Sequence, residues 1–139
     1  MTTAEQAILS RVEDNVLSRV VEAQNADQEG IAMPFIVVSF GTPVRAAGDH
    51  HLVSSRNDTK IGVVTFRVVS TTAASARQVR DKLVNWMEGW SPTNSGEMIL
   101  EIGVGTDNAT TNVKPDRFYQ TLGFTYRTNL AWVGNPPTT

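Results

Sequence analysis

The chain has 139 residues, a formal charge of −2 and a pI near 5.6, with 40% hydrophobic and 19% charged residues. This describes one domain with enough apolar side chains for a core, and a charge too balanced for a sequence-specific DNA binder. The absence of cysteine removes disulfides, thiolate metal sites and thiol catalysis, and no apolar run approaches the ~20 residues that cross a bilayer.

The chain opens with a helical pattern from about Ala4 to Gln24. Ile8, Val12, Val16 and Val20 recur every four residues, and Leu9, Leu17 and Val21 widen the stripe. Thr3 and Gln6 have capping-box spacing, and the mixed charges of the first turns lack the apolar core of a secretion signal. The polar stretch NADQEG, ending in Gly30, closes the helix. Pro34 to Gly41 reads as a short apolar strand covered on both faces.

The segment from Val44 to Lys60 carries Gly48, a charged and histidine-bearing cluster, a brief strand at His51–Ser55 and an Asn57-Asp58 turn. It predicts a hairpin arm that projects beyond the body, running into a strand from Ile61 to Ser70. In that strand Val64, Phe66 and Val68 share one face. A second helix follows from about Ser75 to Trp90, with a Ser75/Gln78 capping box. Its buried stripe is Val79, Leu83, Trp86, Met87 and Trp90, and Arg77, Arg80, Asp81 and Lys82 look outward. Ser91-Pro92-Thr93 ends it. Glu97 to Val104 is a strand, and Thr106 to Asp116 reads as a polar loop.

The last element is FYQTLGFTYRTNLAW, Phe118 to Trp132. Its even positions are mostly apolar and aromatic, and its odd positions are mostly polar, so one face meets a core. The ribbon is far longer than the usual strand of about 5–6 residues. It must bend, at Gly123, or run past its own sheet and leave unpaired backbone for another chain. With no proline and one charge, Arg127, the ribbon predicts self-association. The tail after it, residues 134–139, is expected to fray. Helix, three strands, helix and two strands together predict one α+β domain over residues 1–139. It is a mainly antiparallel sheet of about four or five strands, with both helices on one face and a projecting β-hairpin arm over about 44–60.

Reactive constellations are weak. Asp49-His50-His51 places three metal-ligand types in a row, but neighbours on a strand point opposite ways and further ligands at useful spacing are missing. GVGTDN lacks the third glycine and the following helix of a dinucleotide-binding loop. Glu97 and Glu101 fall on one face of a strand, where two carboxylates could exchange protons or simply face water. Trp86 and Trp90 have helical spacing and read as core, whereas Trp132 reads as core or interface anchor.

Several phrases together are more specific: the N-terminal helix, PFIVVSFGTP, the charged hairpin leading to KIGVVTFRVVS, the helix SARQVRDKLVNWMEGW, MILEIG and the final FYQTLGFTYRTNLAW. In these the chain resembles the tail terminator proteins of long-tailed bacteriophages, also called tail completion or minor tail proteins. The resemblance implies a virion protein at the head-proximal end of the tail, assembled in the host cytoplasm. It implies a homo-oligomer, a hexameric ring, that caps the tail tube, stops polymerisation and offers a surface for head attachment. Its partners would be the tail-tube protein and a head–tail connector protein, with DNA sliding through the ring without sequence-specific binding. No membrane, cofactor, metal or catalysed reaction is implied.

Arg45, Asp49, His50, His51, Arg56, Asp58 and Lys60 of the arm, with Arg127 and Trp132 of the ribbon, are the expected subunit or tube contacts. The arm sets three cations against two carboxylates, a mixed surface and not a clamp for nucleic acid. A head–tail joining or head-closure ring protein is the alternative, and an α+β enzyme or ligand-binding domain is a third reading from another class.

Overall fold

The computed structural model describes residues 3–22, 32–45, 59–93, 95–110 and 117–129. Helix α1 spans Ala4–Asn15 and starts as its sequence predicts. The Thr3 hydroxyl accepts the Gln6 amide at 3.1 Å, and the Gln6 side-chain oxygen accepts the Thr3 amide at 3.1 Å. The helix ends well before Gln24. Asn15 turns its side-chain amide onto the Arg11 carbonyl (3.0 Å), and the chain then leaves the helix and enters strand β1, Val20–Glu22. The valines that continue the helical period also suit a strand. Parallel pairing with β2, Phe35–Phe40, decides between the two: Val20 lies opposite Ile36 and Glu22 opposite Val38. Arg19 fastens the crossing, its carbonyl accepting the Ile36 amide at 3.0 Å and its Nε donating to the Pro34 carbonyl at 2.9 Å.

Strand β3, Val44–Arg45, pairs antiparallel with β4, Thr59–Ser70. Helix α2 spans Ala73–Met87, and its N-cap is Thr72, whose hydroxyl accepts the Ser75 amide; the capping box predicted at Ser75 lies one turn too late. At the other end the helix stops three residues before Trp90. Gly89 there adopts a φ of +82° and its amide bonds the Met98 carbonyl at 2.9 Å, the left-handed exit that glycine favours. Strand β5 runs from Ile99 to Thr110, through half of the expected polar loop, because its far end pairs with the start of β6, Arg117–Asn129.

The sheet order is β1-β2-β4-β6-β5, with β3 on the flank of β4, and only the β1–β2 pair is parallel. The long ribbon is therefore an interior strand. β6 is paired with β4 from Phe118↔Ser70 to Asn129↔Thr59, and on its other side with β5 as far as Thr125, beyond which the Gly96 amide bonds the Arg127 carbonyl and Ser95 bridges to Thr128, so the described part of the ribbon is not an unpaired edge. The bend expected at Gly123 falls on its neighbour: β5 shifts register between Leu100 and Ile102, opposite Phe124 and Gly123, and again between Val104 and Asn108. Among the described residues the outer strands are a three-residue β1, a two-residue β3 and this irregular β5, all poor templates for another strand.

Both helices cover one face. Ile8 and Val12 of α1, with Ala76, Leu83 and Met87 of α2, bury against Ile36, Val38, Val64, Phe66, Val68, Leu122, Phe124 and Tyr126. Phe66 and Phe124 meet edge to face at 5.8 Å. The other face carries no helix among the described residues. One end of it holds a small cluster of Phe35, Val37 and Val69, with Val21, Met33 and Tyr119 packed around it. This is the α+β architecture that the order of patterns predicts.

Candidate functional site

The alternation of β4 and β6 decides which side chains reach the helix-free face. Even positions of both strands enter the core, so Ile61, Val63, Thr65 and Arg67 of β4 and Tyr119, Thr121, Thr125 and Arg127 of β6 point the other way. Most are short hydroxyl or branched side chains, which leaves a level surface with two exposed arginines, Arg67 and Arg127. The Arg67 guanidinium lies over the Tyr119 ring at 5.2 Å, which fixes it on the face. At the opposite corner Ile61, Glu97, Ile99, Glu101, Thr125 and Arg127 border a groove of about 430 Å³. Ile99 is 55% exposed there, and Glu101 accepts the Thr125 hydroxyl at 3.0 Å.

The base of the predicted arm joins this end of the sheet. Arg45 lies opposite Lys60 in register, and Lys60 opposite the buried Thr128, which puts Lys60 on the helix side of the sheet, whereas Arg127, opposite Ile61, lies on the helix-free side. Lys60 is half-buried, whereas Arg127 is exposed. Asp49, His50, His51, Arg56 and Asp58 of the arm, and Trp132 of the ribbon, lie outside the described residues.

A second, smaller cleft lies on the helix side, about 220 Å³ between Glu5 of α1, Glu22 of β1 and the end of β2 at Ser39 and Phe40. Tyr126 is buried nearby, and burial together with the Glu5 charge pushes its phenol from 10.0 up to about 12. A phenol held protonated so firmly is a poor base or nucleophile at neutral pH. Glu97 and Glu101 do share one groove, as their spacing predicts, with Arg127 at its border. Among the described residues no three His, Asp or Glu side chains converge as metal ligands.

Sequence reasoning misses three side chains that the fold puts to use. Arg11 leaves the surface of α1 and crosses to α2: its Nε donates to the Trp86 carbonyl at 2.8 Å, and its guanidinium lies 5.1 Å from the Trp86 ring and 4.7 Å from the Trp90 ring. Arg80, expected to face outward, reaches down to the buried Gln120 with a 3.1 Å bond to the amide oxygen. Arg67 sits among valines in β4 and gives no local signal. Trp86 and Trp90 flank the core instead of filling it.

No family model matches the chain, and no curated protein matches it. Among solved structures the chain is similar in fold to a component of the virion of a native gene transfer agent particle. That match has 14% identity and a TM-score of 0.61, and covers 91% of this chain and 95% of the other.

Proposed function

We propose that this protein is a virion structural component, a ring that caps the tail tube, stops its polymerisation and presents a surface for head attachment. The observation that carries the reading is the shared fold: a virion protein at 14% identity follows the same course over 91% of this chain. Such persistence of architecture without sequence suits a protein selected for packing surfaces and not for a reacting centre.

The arrangement of surfaces fits a ring subunit. Both sheet edges are blunted, so copies would meet through faces, and the helix-free face is broad enough to serve. Strands of 3, 6, 12, 13 and 12 residues, at about 3.3 Å per residue and about 4.8 Å apart, make it roughly 700 Å², near the ~800 Å² that each partner contributes to a standard interface. The arm leaves the sheet at the Arg127 end, from which Arg45, Asp49, His50, His51, Arg56, Asp58 and Lys60 would reach a neighbouring subunit or the tube, with Trp132 following from β6. Six copies in a closed ring would present one rim to the tube and the other to the connector, and DNA would pass without being gripped.

Electron microscopy of particles assembled without the protein tests the reading. A terminator leaves headless tails of excessive length. Tails of normal length that lack heads would instead assign the chain to head–tail joining, and intact infectious particles would remove both.

A further inference from the structure

The groove on the helix-free face lies at the end of the sheet where β6 leaves it. Ile61 and Ile99 line it, with Glu97, Glu101 and Arg127 on its border. Among the described residues Ile99 is the one large hydrophobic side chain left exposed, and covering it would be favourable. A border that carries both signs of charge favours neither an acidic nor a basic occupant, so it suits an uncharged segment. The chain supplies one. Residues 130–139, LAWVGNPPTT, contain no charged side chain and hold Leu130, Trp132 and Val133. The longer internal segments outside the described residues, 23–31, 46–58 and 111–116, all carry charges. Trp132 is the kind of anchor such a groove accepts: an indole packs on isoleucine and offers its face to a guanidinium, here that of Arg127.

We infer that Trp132 of one copy, carried on residues 130–139, docks in this groove of a second copy. The inference rests on the ring reading and supplies its contact. A copy is poorly built to fill its own groove. β6 is held as a strand to its last residue, with Asn129 opposite Thr59 and the Gly96 amide on the Arg127 carbonyl at 2.7 Å. Tyr126 and Thr128 are buried on the helix side of the sheet. Trp132 continues their alternation, whereas the groove opens on the other side. From Leu130 to Val133 there is no turn-forming residue, and Gly134 is the first. A reversal at Gly134 comes only after the chain has carried Trp132 about 10 Å past Asn129, away from its own groove and toward a neighbour. Donor segment and acceptor groove are different surfaces, so the contact is head-to-tail, the kind that closes into a ring when the rotation between copies allows.

Sedimentation of the full chain reads the association. Trp132→Ala should weaken it about tenfold or more, and so should Ile99→Asp. Neither residue belongs to the described core. The Trp132→Ala chain keeps its groove, and the Ile99→Asp chain keeps its tryptophan. Mixed, the two should form pairs and nothing larger, because each pair has one intact joint. Because the chain has no cysteine, Glu97→Cys mixed with Val133→Cys should give a disulfide-linked pair on mild oxidation, well above either variant alone. This second measurement decides the matter if Ile99→Asp fails to fold. A chain carrying both cysteines that closes an internal bridge, and not a link between chains, would mean that each copy fills its own groove, and overturns the inference. No pairs in the mixture, no enrichment of the mixed disulfide, or a wild-type chain that stays monomeric at its highest soluble concentration also overturns it. Association untouched by both substitutions removes this contact while leaving a ring built on others intact. The particle phenotype judges the tail-capping role separately.

Discussion

Gly62 of β4 and Tyr126 of β6 are directly opposed across the sheet, and the tyrosine ring occupies the space a side chain at Gly62 would need. A Cβ added there would lie 2.5 Å from Cζ of Tyr126 and 2.8 Å from its oxygen. The ring is 4% exposed and has little room to retreat. Gly62→Ala should therefore destabilise the fold by roughly 1–3 kcal/mol through overpacking, despite the better strand propensity of alanine. Paired with Tyr126→Leu, the same change should cost less than the two single costs added together. A denaturant double-mutant cycle measures this, and additivity would show that the two residues do not compete for one space.

Tyr126 also sets an alkaline limit. The folded protein holds the phenolic proton up to about 12, whereas the unfolded chain releases it near 10.0. Between those values the unfolded state binds fewer protons, so stability falls as pH rises, and below about 10 this contribution is fully retained. Tyr126→Phe should flatten that part of the decline. Unfolding midpoints of the two proteins between pH 9 and 12 would separate it from the titration of lysines, and parallel curves would rule out a buried phenol as the cause.

Arg11 joins the two helices through a carbonyl and two indole rings. Arg11→Ala should cost about 1–2 kcal/mol, combining a lost hydrogen bond to a charged donor with partly exposed cation–π contacts. Arg11→Lys should recover only part, because an ammonium on a flexible stem cannot both donate from Nε and lie flat on the rings. Tryptophan emission should shift in the native baseline of both variants. Full recovery by lysine would reduce the joint to simple charge.

These relationships show what the sequence discloses and what it withholds. The stripe of Ile8 and Val12 and the alternation of Val64, Phe66, Leu122 and Phe124 are periodic, so they locate the core without any partner being known. The end of α1 is different. Val16, Val20 and Val21 satisfy both a helix and a strand, and the choice is made by β2, a segment remote in sequence. β5 reads as loop past Val104 because Thr106, Asp107 and Asn108 are polar, yet Asn108 lies opposite Tyr119 and the strand persists. The interior place of β6 cannot be read from β6 itself: its length signals many backbone bonds, not which strands receive them.

The same division holds for the surfaces. Arg127 is legible because it breaks the pattern of an aromatic ribbon. Arg67 is hidden among valines, and its place over the Tyr119 ring appears only when β4 and β6 are paired. Arg11 looks like an ordinary solvated helix residue until α2 is placed beside it. Glu13 and Asp14, in a last turn of α1 that holds no basic residue, are legible without the tertiary structure, since two adjacent carboxylates near a helix C-terminus oppose the dipole. Asp14→Asn should accordingly raise the stability of the isolated subunit by a few tenths of a kcal/mol, up to about 1 at low ionic strength, with the gain shrinking as salt is added. A loss of stability would mean that Asp14 has a favourable partner within the subunit.

The arm supplies the most direct test of the assembly role. Its base is held by the Val44↔Ile61 and Arg45↔Lys60 pairs, and β4 beyond Thr59 is secured by twelve register positions with β6. Replacing residues 46–57 with a short glycine-containing turn should leave the sheet, the helices and the unfolding transition nearly unchanged, since every core residue among the described residues is kept. If the arm contacts a neighbouring subunit or the tube, particles carrying this deletion should have tails of uncontrolled length even though the protein is folded and present. A folded deletion variant that yields tails of normal length would take the arm out of the mechanism and leave the helix-free sheet face to account for assembly.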